Sequence, residues 1–279
     1  MSERKRPIGT GDTMQPDMKP IIFNCPPQFP CVVIYVVHDM HYGNQMFQHE
    51  KWKRLKDEIL SKPNHFVIFV GDLMEMAVPG SKSDVFSQTV PPEVQKEWIS
   101  YELGELAKEG RVIAVVPGNH EHNRATKICG LYPLYDACCW ARIQDQYRES
   151  FAVVDIGVSS RKEGRPGKPR QYHYVGFVTH QAKELKHWST ADTLEGFDFM
   201  VYGHDHDPKD HARAHLVYDT KNKNVTTKNI ETVNCGSFLS YGGYAARAAY
   251  RPPADKLYKI VLCPEKQTEK HIQTVGFYL

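Results

Sequence analysis

Three short, almost uninterrupted apolar runs constrain this chain more than anything else in it. They are CVVIYVV (31–37), HFVIFV (65–70) and RVIAVV (111–116), all rich in β-branched side chains. None alternates with polar residues, so each predicts a strand covered on both faces. Amphipathic stretches separate them. Residues 46–61 carry Phe47, Trp52, Leu55, Ile59 and Leu60 at helical spacing, and 93–109 carry Val94, Trp98, Ile99, Leu103 and Leu106. Strand, helix, strand, helix, strand is the order of a parallel α/β sheet. The runs are far too short to span a membrane.

The second half reads differently, as a mixed or antiparallel sheet packed against the first. A helix is expected within 131–149, then a strand pair at FAVVDIG (151–157) and YHYVGFVTH (172–180). FDFMVYG (197–203) is a further buried run, and 214–220, 225–234, 256–263 and 271–279 supply more strands, with Lys221-Asn222-Lys223-Asn224 as a turn between the first two. The expectation is an α/β fold, a two-sheet β-sandwich flanked by helices. Residues 1–20, rich in Pro, Gly and charge, read as a mobile arm, and 21–279 as a single domain.

Each parallel strand ends in a polar motif. Asp39-Met40-His41 follows the first, Gly71-Asp72 the second and Gly118-Asn119-His120-Glu121 the third. The later buried run ends in Gly203-His204-Asp205-His206, and His180 stands alone at the end of another. In open α/β sheets the ligand crevice lies at the carboxyl ends of the strands, so distant residues are delivered to one edge.

The residue types suit metal chemistry. In extended backbone, positions i and i+2 point to one side, so Asp39 and His41 are expected to reach one ion, and His204 and His206 repeat the spacing. Asp72 has two oxygens and can bridge two cations. Asn119 offers a neutral oxygen, and His180 completes the set. A mixed nitrogen and oxygen site without thiolate suits Mn²⁺ first, then Fe, Zn²⁺ or Ni²⁺, over Ca²⁺. Two such ions can hold a bridging hydroxide and clamp a phosphoryl group. His120, unclaimed beside a ligand, is the candidate general acid for the leaving oxygen.

The ordered motifs DMH, GDLME, GNHE, His180 and GHDH resemble the calcineurin-like metallophosphoesterases over residues 31–240 or so. The resemblance implies a β-sandwich flanked by helices. It implies one metal on Asp39, His41, Asp72 and His206, and another on Asp72, Asn119, His180 and His204, with Asp72 shared and His120 near the leaving group. Where many members have Asp, this chain has Glu75, so a supporting contact differs in length. The Asp-Arg-Gly that follows GD in protein Ser/Thr phosphatases is missing, and Pro117 rather than Arg precedes Gly118. Segments 83–98 and 234–252 are similar to metallophosphoesterases of phage and prophage genomes, a branch labelled by similarity to the small subunit of an archaeal DNA polymerase.

The expected function is therefore a dinuclear metal-dependent phosphodiesterase (a nuclease or nucleotide phosphodiesterase). The alternatives are a phosphomonoesterase of small metabolites and a non-catalytic scaffold or polymerase accessory subunit. Arg124, Arg247 and Arg251 are candidates to grip a substrate phosphate, and Tyr241, Tyr244 and Tyr250 to stack on a base. The basic stretch 157–171 reads as a flexible excursion, either a solvated loop or a flap attracting phosphate backbone. His38, His122, His211 and His215 read as solvent-facing or supporting. The net charge of +2 says little about partners. Seven cysteines without a C-x-x-C pair, and a start without an apolar leader, point to a reduced cytoplasmic setting, with Cys138-Cys139 as buried helical thiols.

Overall fold

The computed structural model describes residues 17–81, 85–160, 170–180, 194–265 and 269–279. The strands are β1 (Ile21–Asn24), β2 (Val32–Val37), β3 (His65–Val70), β4 (Val112–Val116), β5 (Phe151–Ser160), β6 (Arg170–Thr179), β7 (Phe199–Tyr202), β8 (Lys209–Asp219), β9 (Asn224–Asn234), β10 (Leu257–Glu265) and β11 (Glu269–Phe277). The helices are α1 (His49–Ser61), α2 (Pro92–Lys108), α3 (Lys127–Cys129), α4 (Pro133–Trp140) and α5 (Gly243–Arg247).

The strands form two mixed sheets, the α/β sandwich expected. One has the order β11-β10-β2-β3-β4, with β2, β3 and β4 parallel. The other runs β1-β5-β6-β7-β9-β8. The apolar runs lack alternation because both of their faces are covered. Ile34, Phe66, Ile68 and Ile113 point into the layer between the sheets, with Val154, Ile156, Tyr174 and Val201 opposite. Their neighbours Tyr35, Val37, Val67 and Phe69 point the other way, onto Trp52, Leu55 and Ile59 of α1 and Leu103 of α2. Each large apolar side chain buried there contributes roughly 1.5–3 kcal/mol relative to exposure.

Several expectations shift. Phe47 lies outside α1 and bridges Leu239. The helix expected within 131–149 is there, at 133–140, beginning at Pro133, where proline lacks only an N–H that would be unpaired anyway. Residues 157–171 are not one excursion: β5 continues to Ser160 and β6 starts at Arg170, paired with it. Arg161, Lys162, Arg165 and Lys168 lie outside the described residues, as does the side chain of Arg170. The last two strands join the first sheet rather than the second, with β10 antiparallel to β2. Strand β1, unforeseen, pairs with β5. Of the expected arm, Asp17 accepts the backbone N–H groups of Glu149 and Ser150, and Lys19 accepts from the buried Arg148.

The cysteine reading also changes. Register brings Cys31 opposite Cys263, 232 residues away, and they form a disulfide. Cys138 is buried in α4, as expected, whereas Cys139 is partly exposed. Among the described residues, no helix is long and apolar enough to cross a membrane.

Candidate metal centre

The ends of β2, β3 and β4 converge as the apolar runs implied, but the backbone there is not extended. Asp39, His41 and Asp72 have φ of 49°, 52° and 51°, and His204 and His206 have 78° and 52°. Asp and His enter this left-handed region more readily than most residues, and each such position costs about 1–3 kcal/mol that its surroundings must outweigh. The surroundings are specific. Asp39 N–H donates to Gly71 O, His41 N–H to Asp72 O, and Phe238 N–H to Asp39 O. Gly71 has no Cβ because one would collide with Pro117 and Gly118, and a Cβ on Gly118 would meet the Asp72 carboxylate.

Two clusters of side chains result. Asp39, His41 and His206 present ligand atoms within 4.8 Å of one another, and so do Asp72, His180 and His204. The clusters adjoin, with His180 Nε2 4.0 Å from Asp39 Oδ1. Asn119 Oδ1 lies 3.3 Å from His180 Nε2, on the side of Asp72. All seven residues singled out in the sequence are therefore brought together. The spacing argument needs correcting in part. Asp39 and His41 meet through left-handed backbone, and His204 and His206 diverge, one to each cluster.

The atoms fit divalent cations. Asp39 Oδ1 is buried and has no hydrogen-bond partner, whereas Oδ2 accepts from His204 N–H and from His38. His38 is wholly buried rather than solvent-facing. Its Nε2 accepts the Cys235 N–H, so Nδ1 carries the hydrogen, 2.5 Å from Asp39. His180 Nδ1 donates to Val70 O at 2.6 Å, which leaves Nε2 facing Asp72 at 3.1 Å. Fixing one ring nitrogen in this way orients the other toward a metal.

Charge is concentrated here. Burial opposes the charged form of Asp39, but His206 and His38 hold its carboxyl well below the usual range. Burial likewise opposes the charge on Asp72, and His120 and His180 reverse it, holding that carboxyl low. Burial disfavours charge on His41, yet Asp39 and Glu75 raise it to about 10. His180 reaches about 9 because Asp72 outweighs burial. In the metal-free protein, protons on His41 and His180 balance the carboxylates, and a cation would replace them.

A third group, His41, Glu75 and His120, also falls within ligand distance. His120 opens a π-helical turn over 120–126. Its Nε2 accepts from Arg124 at 2.6 Å, and its Nδ1 lies 3.1 Å from His41 Nδ1. Burial lowers its pKa to about 3, with His41 and Arg124 adding to the effect and Asp72 opposing it. Arg124 is itself buried and donates to Glu75 O and Oε1. Arg247 and Arg251 are exposed. Tyr241 and Tyr250 are exposed too, joined by a bond from the Tyr241 hydroxyl to Tyr250 O, and the Tyr244 side chain lies outside the described residues.

Two residues went unassigned a role in the sequence. Glu121 accepts three buried N–H groups at 2.9 Å: Asp72 and Gly118 on Oε2, Met74 on Oε1. It ties the second motif to the third. The signal was its place in Gly118–Glu121. Glu75 was noted only as a departure, and it gathers Asn44, His41 and Arg124.

A profile of the calcineurin-like phosphoesterases matches residues 32–208, well over half of the chain. The chain belongs to the calcineurin-like phosphoesterase family. The family and the Asp/His clusters together fit a metal-dependent phosphoesterase. No curated protein matches this chain. Among solved structures, it is similar to the one titled "Crystal structure of Chaetomium thermophilum Vps29", at 12% identity. That likeness covers 88% of this chain and 96% of the other, with a TM-score of 0.35.

Proposed function

We propose that this phosphoesterase is a dinuclear metal-dependent phosphodiesterase acting on nucleic acid or nucleotides. One ion would be held by Asp39, His41, Asp72 and His206, and the other by Asp72, Asn119, His180 and His204. The observation that carries this reading is the pair of adjoining clusters, with the buried Asp39 Oδ1 3.5 Å from His41 Nε2, 3.3 Å from His206 Nε2 and 4.0 Å from His180 Nε2. Two divalent ions, Mn²⁺ first among Mn²⁺, Fe, Zn²⁺ and Ni²⁺, would supply Lewis acidity and an activated water. The protein's own part is to orient. His38 and Val70 fix Asp39 and His180, and Glu121 fixes Asp72.

His120 is our candidate to deliver a proton to the leaving oxygen. In the resting arrangement its Nε2 holds an Arg124 N–H, so Arg124 must release that nitrogen before it can carry a proton. Arg124 thereby acts on His120 rather than gripping phosphate. A diester, singly charged at the phosphate, needs less cationic grip than a terminal phosphate, which favours the diesterase reading. The similarity of segments 83–98 and 234–252 to phage-type phosphoesterases points toward nucleic-acid or nucleotide substrates.

The test is hydrolysis of bis-p-nitrophenyl phosphate, p-nitrophenyl phosphate and single-stranded DNA with Mn²⁺, beside Asp72→Ala. We expect Mn²⁺-dependent turnover of the diester and the DNA, abolished in the variant. Turnover of the monoester alone would sink the diesterase reading, and turnover of none would favour a scaffold.

A further inference from the structure

Strand β8 ends the six-stranded sheet, and among the described residues nothing pairs with its outer edge. Only its first part is supported from behind. Strand β7 pairs with Glu231–Asn234 of β9, so the stretch 214–219 with 224–229 projects as a bare two-stranded ribbon. Such a ribbon is marginal by itself in water. Register places Leu216 opposite Thr227, and Tyr218 opposite Val225, on one face. Leu216, Tyr218 and Val225 are 81%, 57% and 62% exposed, an unusual apolar face for a free ribbon. On the other face, His215 Nε2 is shielded from water yet has no hydrogen-bond partner.

We propose that β8 pairs antiparallel with β8 of a second copy of this chain, with the two-fold axis at Ala214. This register uses all 11 residues of the strand. Lys209 then faces Asp219, an opposite-charge pair repeated at both ends. Ala212 faces Leu216, Asp210 faces the Tyr218 hydroxyl, and two small alanines meet at the axis. Arg213 of one copy faces His215 of the other, bringing a donor to the unpartnered Nε2. Neighbouring registers lose this. An axis at 213 sets Arg213 against Arg213, and one at 215 sets His215 against His215. An axis at 216 leaves His215 beside Val217 and pairs fewer residues.

The pairing also concerns the metal centre. Lys209 follows the loop bearing His204 and His206, and its ammonium contacts Asp205 and Asp207. Because Asp219 of the second copy faces Lys209, that copy's turn, with Lys221 and Lys223, borders this loop. The pairing itself does not depend on the proposed reaction, and its test reads association rather than turnover.

The experiment is light scattering and sedimentation of the full chain at micromolar concentration, with cysteine cross-linking. We expect a dimer. Ala214→Lys, at an exposed position, sets like charges directly opposite each other and should give a monomer with an unchanged circular dichroism spectrum. Under mild oxidation, Ala214→Cys should cross-link to itself beyond the wild-type background. Ala212→Cys and Leu216→Cys should cross-link only when mixed, because equivalent 212 positions lie about 13 Å apart along the strands. A monomeric wild type would overturn the proposal. So would a dimer that survives Ala214→Lys, or one whose cross-links follow another pattern.

Discussion

Glu121→Gln is the most informative single change in the metal centre, because it keeps the shape of the side chain and removes only acceptor capacity. The carboxylate takes three buried backbone N–H groups: Asp72 and Gly118 on one oxygen and Met74 on the other. A glutamine has one oxygen. In its better orientation it keeps the Asp72 and Gly118 bonds and sets its own NH₂ against the Met74 N–H. Leaving that donor unpaired costs about 1–3 kcal/mol, and the two retained bonds, no longer charge-assisted, each weaken by about 1 kcal/mol. Against this stands a relief. Burial and the Asp72 charge raise the Glu121 pKa, so its ionised form is held at some expense. With about 1 kcal/mol recovered, the net loss is roughly 2–4 kcal/mol. Three N–H donors on both oxygens nevertheless require the ionised form, so the donors win over the repulsion.

For a chain of this size that loss corresponds to a Tm lowered by roughly 3–7 °C. Metal binding should weaken by about 10–100-fold, since Glu121 holds the loops that carry Asp72 and Asn119. Thermal unfolding followed by circular dichroism in EDTA isolates the first effect, and calorimetric titration with Mn²⁺ the second. A variant that melts at or above the wild-type temperature would show that Asp72 repulsion dominates and that the three-donor argument fails. Unchanged Mn²⁺ affinity would refute the link from Glu121 to the metal loops.

Arg124→Met should free His120 Nε2 and raise the His120 pKa part of the way toward its ordinary value, since burial and His41 still hold it down, seen as a shifted His120 resonance in an NMR titration of the metal-free protein; an unshifted resonance would mean that Arg124 adds nothing to their effect. Gly118→Ala should abolish metal binding, because the added Cβ meets the Asp72 carboxylate, and full Mn²⁺ occupancy by elemental analysis would contradict this. His65 gives a pH dependence away from the metal centre. Burial lowers its pKa, outweighing Glu58, so below about 6.5 the unfolded chain binds the proton more readily and stability falls with falling pH. Urea unfolding at pH 7 and pH 5 should show wild type losing more stability than His65→Gln, and parallel losses would remove His65 as the cause.

The sheet carrying the site was readable because its strands must be apolar on both faces. Val32–Val37, His65–Val70 and Val112–Val116 could not be anything but interior strands, and their ends located the motifs. Strands with one wet face were read as strands but assigned to the wrong sheet. Residues 257–265 and 269–277 carry nothing in their own pattern that selects β2 over β9 as a neighbour; that choice is made by tertiary packing. The same packing placed Cys31 beside Cys263, a pairing invisible at a separation of 232 residues.

The site was legible in its composition and illegible in its mechanics. Motif residue types named the ligand atoms, but the i, i+2 argument assumed extended chain where all four of its positions, Asp39, His41, His204 and His206, are left-handed. Left-handed backbone is itself a product of the contacts that enforce it, such as Asp39 N–H on Gly71 O and His41 N–H on Asp72 O. Those contacts join segments about thirty residues apart in sequence. The supporting groups hide for the same reason. His38 read as either solvent-facing or supporting, because nothing nearby in sequence announces that its two nitrogens will meet Asp39 and the Cys235 N–H. Glu121 could be recognised as acidic, but not as the acceptor for three amides, Gly118 of its own motif and Asp72 and Met74 of the segment after β3. A ligand is advertised by its own chemistry. A residue that holds a ligand in place is defined by its partners, and those are known only once the chain has folded.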